Sequence, residues 1–139
     1  MKKIFALVAF CLAFITTQAA VPAAIQSFVK EYNTEIAGQT ADGIHFGRAT
    51  IEGNNLIIPM YLDDSVLQEY GMGLSDAIEL MGGTEIMEGM MLLAIFEDAD
   101  VETDSELAMF KQYQYNIVFR MIGTSSKDRV DLRIHYQDL

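Results

Sequence analysis

Hydrophobic positions change their period along this chain, and each change marks an element. From Val21 to Ala37, the residues Ala24, Ile25, Phe28, Val29, Tyr32 and Ile36 recur at spacings of three and four. That spacing predicts an amphipathic helix. Pro22 suits its first turn, where a missing N–H costs nothing, and Gly38 suits its end. Gln39 to Gly43 reads as a polar turn. Ile44 to Leu62 then reads as a hairpin around Glu52-Gly53-Asn54-Asn55, because Gly53 and Asn54 tolerate positive φ. The second arm, Leu56 to Leu62, is apolar on both faces, as a strand with cover on both sides or a self-associating strand would be. Pro59 argues instead for an edge, since it cannot donate to a ladder. The first arm is irregular, with Ile44 and Phe46 sharing a face with Arg48 unless Gly47 marks a bulge.

The middle of the chain returns to helical spacing. Asp63 or Asp64 is placed to cap a helix beginning near Ser65, with Leu67, Tyr70, Leu74, Ile78 and Met81 in phase. Gly71 and Gly73 predict a break, with Ser75 opening a second segment that ends at Gly82-Gly83. Thr84 opens another helix with Glu85 in its first turn, where a negative charge meets the positive end of the dipole. Met90 to Phe96 is apolar on every side, which predicts a central, buried helix. Glu97 to Glu106 reads as an acidic connector, with a short turn at Leu107, Met109 and Phe110 capped by Asp104 or Ser105.

Period two is clearest at the end of the chain. Tyr115, Ile117, Phe119 and Met121 alternate with Asn116, Val118 and Arg120. After a turn at Gly123 to Asp128, Val130, Leu132, Ile134 and Tyr136 alternate with Arg129, Asp131, Arg133, His135 and Gln137. One buried and one wet face follow. The economical architecture is α+β: a four-stranded antiparallel sheet made of two hairpins, with the helices packed on one face, in the order α-ββ-αα-ββ.

The first 19 residues stand apart from this domain. Lys2 and Lys3 precede an apolar run from Ile4 to Ile15, and Thr17 and Ala19 are small residues at the −3 and −1 positions of a cut after Ala19. This is a secretory signal-peptide pattern, too short to span a bilayer. Cys11 lies inside the run and does not form a lipid-anchor site. The expected product, residues 20–139, is a single domain without cysteine, so its core must hold it together. Export to the periplasm or medium is the expected localisation.

That product has 20 acidic and seven basic residues, a net charge of −13. Nucleic acids and anionic membrane surfaces would repel it. From Ala49 to Phe110 there are 14 acidic residues and no basic ones. The final hairpin holds four of the seven cations. The expected molecule is therefore bipolar, with a negative helical layer and a candidate binding face of Arg120, Arg129, Asp131, Arg133 and His135.

Little here points to catalysis or to a cofactor. Asp98, Asp100, Glu102 and Asp104 form a weak candidate cation loop, but the glycine and the final glutamate of a calcium loop are missing. Met81, Met87, Met90 and Met91 suggest soft-metal ligands, yet methionines among aliphatics are usually core filler. His45 and His135 could approach each other only if the outer hairpin arms paired. No nucleophile elbow, zinc helix or phosphate loop is present. The sequence thus favours a non-enzymatic exported domain that binds a protein partner or itself, through the open sheet face or the acidic helical layer. A carrier of a small apolar ligand in a methionine-rich pocket and an unrecognised hydrolase are the alternatives.

Overall fold

The computed structural model describes residues 21–97 and 100–139. The leader, Asp98 and Ala99 lie outside them. Helix α1 spans Ala23–Glu35 and buries Ile25 and Tyr32. Strands β1 (Thr40–Ala41) and β2 (Ile44–Phe46) follow, then β3 (Thr50–Glu52) and β4 (Asn55–Leu62). The segment read as a polar turn is a small hairpin of its own. Asp42 and Gly43 both take positive φ, 52° and 79°, which is the Asp-Gly signal of a tight hairpin. Helices α2 (Ser65–Glu69), α3 (Leu74–Leu80), α4 (Thr84–Glu97) and α5 (Val101–Gln112) lead to strands β5 (Asn116–Gly123) and β6 (Arg129–Ile134). A 3-10 turn, Tyr136–Asp138, closes the chain.

The α+β class holds, but the sheet is mixed and six-stranded, in the order β1-β2-β4-β5-β6 with β3 beside β4. Both expected hairpins exist. They join through β4 and β5, which run parallel from Asn55↔Asn116 to Leu62↔Gly123. A parallel pair needs a long crossover, and the four middle helices supply it.

The two cues in β4 are reconciled by this position. The strand is central, which explains its two apolar faces. Pro59 sits where the neighbouring strand is interrupted between β2 and β3. The Gly47 N–H donates to the Pro59 carbonyl at 2.9 Å. A residue's N–H and C=O leave a strand on the same side, so the missing donor of Pro59 faces the interruption. A Cβ on Gly47 would lie 2.9 Å from the Tyr61 ring and 3.1 Å from the Pro59 Cβ. Only glycine lets the chain pass that close.

The helices pack on the sheet face that carries Phe119 and Leu132. One cluster joins Ile25 and Tyr32 of α1, Leu107 and Phe110 of α5, and Leu56, Ile58, Ile117 and Ile134 of the sheet. Phe28 meets Phe110 edge to face at 4.9 Å. A second cluster joins Leu74 and Ile78 of α3 to Val130 and Leu132.

Two expectations about the helices fail. Helix α4 is not central, and none of its residues is buried. Met87, Met91, Leu92 and Ile95 are partly buried against the core, while the opposite side faces solvent. A run that is apolar all round has no period from which to read its depth. The acidic connector is also largely helical. The carboxylate of Asp100 accepts the Thr103 N–H at 2.8 Å and caps α5. Glu102 and Asp104 occupy the first turn and Lys111 the last, all favourable to the dipole.

Candidate functional site

Three places hold chemistry that the core does not use. The first is the sheet face opposite the helices. Register puts Arg120, Arg129, Asp131 and Arg133 on it, together with Ile57, Pro59, Tyr61, Val118 and Ile122. It is less cationic than its arginine count implies. Arg120 is only 16 % exposed and grips Asp131 with two hydrogen bonds, Nε to Oδ1 at 3.0 Å and Nη2 to Oδ2 at 3.3 Å. That bond to Asp131, ahead of the opposing cost of burial, holds the guanidinium pKa above its usual value. Glu52 at 3.6 Å from Arg120, and Asp131 at 3.6 Å from Arg129, neutralise the face further. His135 lies beyond the end of β6, where it shares with Arg133 a groove lined by Glu85, Glu88 and Asp138, apart from Arg120, Arg129 and Asp131. The outer arms do not pair, and His45 is separated from β6 by β4 and β5. Its Nδ1 lies 3.1 Å from the Thr40 hydroxyl.

The second place is the cleft between α1 and α5, about 160 Å³, lined by Phe28, Glu31, Tyr32, Glu35, Ile36, Glu102 and Glu106. Burial, and then the like charges of Glu102, Glu31 and Asp100, raise the Glu106 pKa. The Tyr32 hydroxyl is buried with no hydrogen-bond partner among the described residues, and burial raises its pKa. Among the described residues, no group of three or more histidines, cysteines or carboxylates is placed to hold a metal ion. Asp100 is committed to its cap, and Asp98 lies outside the described residues. The methionines divide, with Met87 and Met91 turned to the core and Met81 and Met90 exposed.

The third place is the outward side of α4. Ile86, Met90 and Leu93 follow one another at spacings of four and three, with Phe96 beside them, and all four are exposed. Met90 is 60 % exposed and Leu93 68 %. Leu80 and Met81, at the end of α3, are exposed as well. Gly89 lies on the same side, with open space where a Cβ would be. Between Glu85 and Glu97 no charged residue faces outward. Soluble monomers rarely leave a contiguous apolar surface of this kind without a use for it. The run Met90 to Phe96 was the available signal in the sequence, but apolarity alone reads as burial.

No protein-family model and no curated protein matches the sequence. Its fold is that of a known structure. A protein from Pseudomonas aeruginosa, described no further than as a secreted protein, matches over 81 % of this chain and 87 % of its own, with a TM-score of 0.56 at 10 % identity. A type II secretion system pilotin from Vibrio cholerae matches 81 % of this chain and 86 % of its own, with a TM-score of 0.48 at 9 % identity. At such identities the likeness concerns the arrangement of elements. No helix among the described residues is long and apolar enough to cross a membrane.

Proposed function

We propose that this is an exported, non-catalytic binding protein, and that its partner docks on the outward side of α4. The exposed sequence Ile86, Met90, Leu93 and Phe96 is the observation that carries this reading. Water disfavours each of these side chains, by about 1.5–3 kcal/mol relative to full burial for a side chain of this size. A rigid helix presenting such a row is a common recognition surface. The leader pattern supports export. The open sheet face is a weaker candidate, because its central arginine is already paired within the sheet.

A photo-crosslinking residue at Leu93 tests the reading in cells that produce the protein. One discrete crosslinked species is expected in the envelope or secreted fraction, and a second crosslinker at Thr50, on the opposite sheet face, should not trap it. Equal trapping from both positions, or none from Leu93, would overturn it.

A further inference from the structure

The charges that bound the apolar row point to the chemistry of its occupant. We infer that the outward side of α4 receives an amphipathic helix of a partner protein that carries lysine or arginine at both ends of its apolar stripe. This rests on the reading of α4 as a docking face and specifies what docks.

The row is closed at one end by Glu85 and at the other by Glu97, both exposed. They are twelve positions apart, or about 18 Å at a helical rise of 1.5 Å. Glu79 at the end of α3 adds negative charge near the first end, and Asp100, the cap of α5, near the second. No basic residue occurs between Ala49 and Phe110, and the cations nearest the first end come from β6, Arg129 beside Glu79 and Arg133 beside Glu85. An occupant with acidic ends would face four carboxylates, and the grooves beside Glu79 and Glu85 hold more acids than arginines, Glu79 and Asp131 against Arg129 in one, Glu85, Glu88 and Asp138 against Arg133 in the other. One with basic ends gains from both, and it gains most when they sit about three helical turns apart.

The same argument ranks the other occupants. A second copy seated stripe to stripe would bring Glu85 and Glu97 against their equivalents on a molecule of net charge −13. An anionic membrane surface would be repelled for the same reason. The row has the width and spacing of one helix face, and Gly89 leaves room on it for close approach of another backbone.

The test uses the full exported chain and three synthetic helical peptides of about 18 residues. The first has an apolar stripe with basic ends, the second the same stripe with glutamate ends, and the third the basic composition scrambled so that no stripe forms. The basic-ended peptide is expected to bind at least about tenfold tighter than either control, a difference of about 1.4 kcal/mol. Its affinity should fall as salt rises from about 0.05 to about 0.5 M. Leu93→Glu should abolish binding, and Glu85→Lys with Glu97→Lys should reverse the preference between the first two peptides while leaving the circular dichroism spectrum unchanged. Equal binding of the basic and acidic peptides, or of the scrambled one, would overturn the inference. So would failure of all three to bind, dimerisation through the stripe at about 0.1 M salt, or recruitment to phosphatidylglycerol vesicles. A discrete crosslink from Leu93 alongside charge-indifferent peptide binding would retain the docking face and reject its charge selectivity.

Discussion

Asp64 shows how much one side chain can hold. It is 2 % exposed and forms no ion pair among the described residues. Its carboxylate accepts the Ser125 N–H at 2.9 Å, the Ser126 N–H at 3.2 Å and the Ser126 hydroxyl, tying the start of α2 to the β5–β6 turn. A Cβ on Gly123 would overlap that carboxylate. The Ser126 hydroxyl bond, opposed by burial and aided by the two backbone N–H groups, lowers the Asp64 pKa. A lowered carboxyl pKa adds stability that is present above the unfolded value near 3.9 and lost as pH falls through the folded one. Asp64→Asn should therefore lower the melting temperature by about 5–10 °C at neutral pH, with the difference closing below about pH 4. Glu106 runs the other way. Its raised pKa means that the ionised form costs stability at neutral pH, and the cost is relieved as pH falls through the folded value. Glu106→Gln should raise the melting temperature by a few degrees at neutral pH and change nothing below about pH 4. Thermal scans of both variants across that range check the two signs together.

At the scale of elements, alternation was a sound guide and uniform apolarity was not. Phe119 and Leu132 meet the helices because period two in β5 and β6 leaves them no other face. Helix α1 and the break after α2 were likewise legible from spacing and glycine position. Helix α4 was misread because its burial depends on what lies across from it, and a side chain's chemistry does not state that. Its glycine offers a local check. Gly89 is in the middle of the helix, with open space at the Cβ position. Gly89→Ala should stabilise the free protein by about 0.5–1 kcal/mol, measured by urea denaturation, since alanine loses less backbone entropy in a helix. A loss of stability there would mean that the outward side is covered.

For the whole molecule, charge distribution is the governing feature. Seven basic residues in the expected exported chain oppose 20 acidic ones, and the best-buried arginine is spent within the sheet. The expected bipolar surface is therefore attenuated on the sheet side and intact on the helical side. Repulsion between copies should keep the protein monomeric at about 0.1 M salt, where charges are felt over about 10 Å. Raising salt to about 1 M shortens that range to about 3 Å and should let the apolar rows meet. Sedimentation velocity should then show self-association that Leu93→Glu removes.

The order of residues was enough to determine most helical and extended segments, the β1–β2 hairpin and the first half of α5 excepted, together with the inward and outward faces of the last two strands, the leader pattern and the acidic middle, because each depends on neighbours a few positions away. Tertiary structure alone decided that β4 and β5 lie side by side in parallel, that Pro59 meets an interruption, that Asp64 reaches a turn some 60 residues on, and that α4 turns an apolar row to solvent. Those outcomes depend on which distant surfaces meet. Hydrophobicity is non-directional, so it drives such surfaces together without specifying the pair.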